Sequence, residues 1–157
     1  MIFYIKQALY AFLSTVGFAV LFNGPKDTLV NAGTCGAIGW LVNIIAKYLS
    51  NSSIVGTFLG ATTAGLLGEA YAKIFKKPAT VFIVPGIIPL VPGAGMYYTM
   101  LALIKKNFIT AADIGSQTIF TAFSIAIAVI VSSSINRAIM KYREYIKQKK
   151  QLPDGSN

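Results

Sequence analysis

An all-α, polytopic helical membrane protein with about five hydrophobic segments, one of them broken by proline and glycine, is the fold class that three observations predict. Hydrophobic residues make up 55% of the 157-residue chain and charged residues only 12%, far from the balance of a soluble domain. The apolar residues fall in charge-poor runs close to the roughly 20 residues that a helix needs to cross a bilayer. In the fourth run Pro85, Pro89 and Pro92 stand within eight residues, and Gly93 and Gly95 follow. Each proline lacks an N–H and clashes with the preceding helical turn, so one continuous helix is not expected there.

Taken in order, residues 2–22 form the first segment, with Lys6 and Gln7 near its start, where a lysine stem reaches the headgroups. No basic stretch followed by a small-residue cleavage site precedes it, so it is expected to be retained. Asn23-Gly24-Pro25-Lys26-Asp27 is a turn. Residues 28–46 form the second segment, in which Gly33, Gly36 and Gly39 allow a neighbouring helix to come close, with Asn31 and Asn43 as polar groups at either end. Lys47–Ser53 reads as a short polar connection. In the third segment, 54–72, Gly56, Gly60, Ala64 and Gly68 recur every fourth residue, a smooth stripe suited to helix packing. Glu69 closes that segment one turn before Lys73 and has two readings: an interfacial i, i+4 ion pair, or a carboxylate facing a polar pathway.

The broken segment has halves at Ala79–Ile87 and Gly93–Ile104, which as helices reach about 13 Å and about 18 Å. Neither spans alone; together they make one broken crossing or dip in and return. Interrupted backbone at membrane depth is tolerated only where it is buried in protein or lines a polar cavity, so the stretch is expected to form a substrate site or gate. Lys105 and Lys106 mark an interface, and residues 108–135 form the last segment, entered through Asp113, with serines and threonines that satisfy helix carbonyls or bond across helices. With five crossings, one face receives ten basic residues (Lys26, Lys73, Lys76, Lys77 and six from the tail) and the other four (Lys6, Lys47, Lys105, Lys106). A returning loop would make the tally eight against six. The positive-inside rule therefore favours five crossings with the C-terminus cytoplasmic. Residues 1–136 are expected to be the transmembrane domain, and 137–157 a basic cytoplasmic tail that either extends the last helix along the membrane surface or acts as a solvated anchor, fraying from Leu152.

The chain has no histidine, one cysteine (Cys35) and five scattered carboxylates. No disulfide, metal site or acid–base pair follows from that inventory, and no cofactor or enzymatic activity is expected. A net charge of +9 sits beside the hydrophobic runs and in the tail, which points to anionic lipid headgroups as the partner and not to nucleic acid.

Gly17-Phe18-Ala19-Val20-Leu21-Phe22-Asn23-Gly24-Pro25 together with Pro85-Gly86-Ile87-Ile88-Pro89-Leu90-Val91-Pro92-Gly93 resembles the threonine/serine exporter family, specifically its small integral-membrane subunit of the split, two-chain type. The resemblance covers nearly the whole chain. It implies a bacterial inner-membrane exporter of small metabolites, either hydroxy amino acids or dicarboxylates such as succinate, working with a larger companion chain or further copies of itself. An interrupted helix offers free N–H groups to a carboxylate and free carbonyls to an ammonium. Pro85, Pro89, Pro92 and Gly93 are expected to set that geometry. Gly86 and Gly95 are candidate hinges, and Thr80, Tyr97, Tyr98 and Thr99 candidate hydroxyl donors. Asn23 is a second polar element or a turn former, and Glu69 and Asp113 are candidate proton carriers. The competing hypothesis is a scaffold whose broken helix only receives a partner helix; an intramembrane hydrolase is disfavoured by the missing histidine and carboxylate pair.

Overall fold

The computed structural model describes residues 2–151, which form helices and no strands. Helix α1 spans Ile2–Leu21, α2 Leu29–Ser50 after a 3-10 turn at Lys26–Thr28, and α3 Ser53–Phe75. Helix α4 spans Thr80–Ile87, runs into a 3-10 turn at Ile88–Leu90, and is followed by α5 at Gly93–Ile104 and α6 at Phe108–Gln151. Asn23, Asn51, Lys76 and Lys106 follow α1, α2, α3 and α5 with φ between 51° and 56°. Such left-handed residues turn the chain and let its amides reach back to the last carbonyls; the Gly24 amide donates to Ala19 O and Lys77 to Ala72 O.

One boundary differs from the sequence-based expectation. Lys47–Ser50 belongs to α2, because the left-handed turn comes only at Asn51. The basic stretch from residue 137 continues α6 without interruption, making one helix of 44 residues, the helical of the two arrangements expected for it. The expected fraying of 152–157 lies outside the described residues.

Small residues determine which helices meet. A Cβ on Gly36 of α2 would collide with the Thr15 side chain of α1, and one on Gly60 of α3 would lie 2.6 Å from the Gly39 carbonyl of α2. Farther along α3, Gly65 faces Ser132 of α6, and Gly68 faces Ile83 of α4. Helix α3 therefore occupies the centre, against α2, α4 and α6. Helices Ile2–Leu21, Lys26–Ser50 and Phe108–Tyr142 are long and apolar enough to cross a membrane, and the bent pair α4–α5 makes a fourth if counted as one. The 23 residues of α3 are not among them: glycine, alanine and threonine replace large apolar side chains where helices rather than lipid surround it.

Direction follows from paired positions. Ile54 of α3 meets Ser124 of α6, and Glu69 meets Ser133 and Asn136, so α3 and α6 are parallel. Gly68 lies by Ile83 and Ala61 by Leu90, so the proline-rich stretch descends antiparallel to α3. Gly95 lies by Thr118 and Thr99 by Gly115, so α5 is antiparallel to α6 and keeps the sense of α4, bent by 51°. The stretch travels from one end of the bundle to the other and does not double back. The basic end of the bundle carries Lys26, Lys73, Lys76 and Lys77, and the opposite, Lys47 end carries the α2–α3 link.

Candidate functional site

The break is built from missing donors. Pro85 is buried inside α4, and neither Pro89 nor Pro92 can donate to the carbonyl four residues back. The chain instead makes tight turns: Ile88 N–H donates to Pro85 O, Val91 N–H to Ile88 O at 3.1 Å, and Gly93 N–H to Val91 O at 2.8 Å. The α-helical ladder resumes at α5. Leu90 anchors the turn from inside, packed with Ala61, Ile125 and Ala128, so the polar backbone around it is held in place.

At this turn, toward the Lys47 end, a cavity of about 550 Å³ opens between α2, α3, the break and α6. Pro89, Pro92 and Gly95 line one wall, facing Asn43 and Lys47 of α2 and Gln117 of α6. Among the described residues, Lys47 is the only charged one lining this cavity. Gly95 belongs to the first turn of α5, so the partly positive end of that helix lies beside the cavity as well. A solute with negative charge is the electrostatic match.

A second cavity of about 260 Å³, toward the basic end, brings Asn23 together with Thr80, Val84 and Pro85. Between the two cavities the bundle is closed. Phe82 is fully buried and stacks obliquely on Tyr71 and Phe75 with ring centroids 5.9 and 6.1 Å away. The hydroxyls of Thr34 and Tyr71 lie 3.2 Å apart, and Lys77 and Asp27 bridge the two basic-end connections at 3.5 Å.

Other sequence-predicted residues lie elsewhere. Gly86 packs against Cys35 of α2, with 3.1 Å between the Cβ it lacks and the Cys35 Cβ. Gly93 has nothing within 4 Å of such an atom. Tyr97 and Tyr98 are exposed on α5 and pack edge to face, and the Thr99 hydroxyl donates to Gly95 O. Gly56 and Gly60 face α2 and Ala64 is fully buried. The Asn23 amide donates to Val20 O in its left-handed turn while its residue lines the smaller cavity.

The two carboxylates part company. Glu69 accepts from Ser133 Oγ at 2.9 Å and Asn136 Nδ2 at 2.7 Å, and Lys73 donates to Asn136 Oδ1. No direct Glu69–Lys73 ion pair forms: Asn136 stands between the two and turns the carboxylate toward α6, away from both cavities. Asp113 is exposed and accepts from Gln117 Nε2 at 3.3 Å, one turn from the cavity wall. The sequence reading puts Asn43 at a segment end and Lys47 in a polar connection and in the charge tally. Their i, i+4 spacing was the visible signal, since two polar residues on one face beside a broken helix belong to a shared wall. Among the described residues, no group of histidine, cysteine or carboxylates is placed to hold a metal.

A family model described as "Threonine/Serine exporter, ThrE" matches residues 7–135. A Haemophilus influenzae protein described only as uncharacterized is 24% identical over 139 residues, which cover 87% of this chain and 47% of that protein. The chain thus spans about half the length of this curated relative. No solved structure matches it.

Proposed function

This chain belongs to the threonine/serine exporter family, and from that premise we propose that it is a subunit of a secondary exporter whose solute pathway is the cavity at the broken helix. The observation that carries the proposal is the wall formed by Pro89, Pro92 and Gly95 opposite Asn43 and Lys47: polar, partly positive, and made of backbone that a continuous helix could not present. The solute is a small amino or carboxylic acid, with threonine, serine or succinate as the members to test. A larger cavity toward the Lys47 end and a smaller one toward the basic end, with the buried Phe82 between them, suit the two half-pathways of an alternating-access cycle. With the ten basic residues in the cytoplasm, the larger one faces outward across a bacterial inner membrane.

A partner completes the assembly. Helix α5 has α6 as its main neighbour, and Met96, Tyr97, Met100 and Ile104 on it are exposed, as are Phe120 and Phe123 on α6. The matched relative is about twice this chain's length, which is consistent with a second set of helices supplied by a larger chain. The basic end rests on anionic headgroups.

The direct test replaces Pro89 and Pro92 together by alanine and measures efflux of radiolabelled threonine and succinate from cells carrying this chain with its companion. Efflux at least about tenfold lower with unchanged membrane levels is expected, because the restored ladder removes the turn. Undiminished efflux would show that the break serves assembly alone, the scaffold alternative. For proton coupling, Asp113 is the stronger of the two carboxylates, since its partner Gln117 lines the cavity. Asp113→Asn is expected to abolish the dependence of efflux on an imposed pH gradient, and retention of that dependence removes Asp113 from the coupling path.

A further inference from the structure

At the basic end the α3–α6 contact opens into a groove of about 370 Å³, apart from both cavities at the break. Leu66, Ala70, Lys73 and Ile74 of α3 line one side, and Asn136 and Ile139 of α6 the other. The room comes from Ala70, an exposed residue with no long side chain, one turn from Leu66 and one turn from Ile74. Leu66, Ile74 and Ile139 are exposed, so the apolar walls face away from the bundle.

One charge stands in this apolar setting: among the described residues, Lys73 is the only ionisable one lining the groove. Its ammonium donates to Asn136 Oδ1, while Asn136 Nδ2 donates to Glu69 at 2.7 Å, so the amide fixes the lysine and keeps the carboxylate from it. Glu69 also accepts from Ser133 Oγ at 2.9 Å and does not line the groove. Among the described residues no carboxylate stands within 4 Å of Lys73. An ammonium has three donors, and Asn136 takes one. Lys73 belongs to the last turn of α3, and Leu66 lies about 10 Å farther from the basic end. The order along the groove, cation first and hydrocarbon below it, is that of a lipid headgroup and its acyl chains in one leaflet.

We infer that this groove is a binding site for one anionic phospholipid, its phosphate held at Lys73 and an acyl chain lying over Ala70 and Leu66. The general attraction of a basic end for headgroups is diffuse, whereas the groove adds a seat of fixed shape. A net-negative headgroup suits it better than a zwitterionic one, because among the described residues the lining has no carboxylate to receive an ammonium. The site goes beyond the exporter reading and stands whether or not solute passes the break.

The test measures phosphatidylglycerol and phosphatidylcholine of equal chain length bound to the full-length chain, with whatever subunit copurifies, by native mass spectrometry. One phosphatidylglycerol is expected to bind at least about fivefold more tightly than phosphatidylcholine. Lys73→Gln removes the charge and Ala70→Leu fills the groove at unchanged charge, and each brings the two lipids within about twofold. Lys26→Gln, the same loss of charge at the same end but outside the groove, leaves the preference in place. Because the readout is a ratio between two lipids on one preparation, partial unfolding does not imitate it. A preference that survives Lys73→Gln or Ala70→Leu overturns the site, and so does one that Lys26→Gln lowers as much as Lys73→Gln, which marks diffuse attraction only. No phosphatidylglycerol on the assembled complex, as when a companion helix fills the groove, overturns it too. Glycerol phosphate, with the charge but no acyl chains, is expected not to displace the lipid at equal concentration; displacement overturns the lipid assignment in favour of a plain anion site.

Discussion

Gly60 and Gly93 both lack a side chain, for opposite reasons. At Gly60 an added Cβ would sit 2.6 Å from the Gly39 carbonyl, an atom of another helix backbone that cannot swing aside. At Gly93 nothing lies within 4 Å. Gly60→Ala is therefore expected to cost about 1–3 kcal/mol by overpacking, while Gly93→Ala is neutral or gains up to about 1 kcal/mol of helix propensity. Thermal unfolding in detergent, followed through the fluorescence of the single Trp40, distinguishes the two. At this scale the sequence was legible in kind but not in address. A glycine every fourth residue announces a close helix approach, yet that Gly56 and Gly60 would meet α2 while Gly65 met α6 and Gly68 met α4 depends on tertiary crossing angles that spacing does not encode.

Among elements, the broken segment was the most legible, because proline acts locally: it removes a donor wherever it stands, and both halves lie where the residues placed them. The last turn of α2 was not legible. Lys47, Ser50 and Asn51 look like a connection by polarity, but helix termini at an interface are polar too, and only the left-handed Asn51 ends the ladder. Glu69 shows a similar limit. The i, i+4 lysine suggested a pairing within α3, whereas the carboxylate is held across the α3–α6 contact by Ser133 and Asn136. Glu69→Leu keeps the bulk but leaves Ser133 and Asn136 without the oxygens they donate to, whereas Glu69→Gln can still accept from Asn136 and donate to the Ser133 hydroxyl. Glu69→Leu is expected to cost about 1–3 kcal/mol in the same melting measurement and Glu69→Gln less, with the pH-gradient dependence of efflux preserved. A Leu variant as stable as the native chain would remove Glu69 from the α3–α6 contact.

For the whole molecule, α1, α2, α3, the bent pair α4–α5 and α6 run alternately through the bundle, and the proposed sidedness, with the C-terminus cytoplasmic, rests on the distribution of lysine and arginine over its ends. Reporter domains fused after Lys150 and inserted at Asn51 test this directly: alkaline phosphatase is expected to be active only at Asn51, and a fluorescent protein that matures only in the cytoplasm only after Lys150. Equal compartments for the two sites would break the five-pass arrangement. Hydrophobic length made α1, α2 and α6 legible along the chain, whereas α3, rich in small residues, does not qualify as a span by that measure. The outward-facing apolar surface of α5 was not legible, since composition cannot say which greasy face meets lipid and which meets a neighbour. Helix α6 ties these scales together. It bears Gln117 and Thr121 beside the cavity, Ser133 and Asn136 under Glu69, and then runs on to Gln151 with no break. From Thr118 to Gln151 it measures about 50 Å, so a tilt of 10° where the solute sits would sweep the far tip through about 9 Å. If the proposed pathway is the cavity, α6 is a lever whose short arm touches the solute and whose long arm projects past the basic end of the bundle, and a spin label near Lys141 is expected to register occupancy from there.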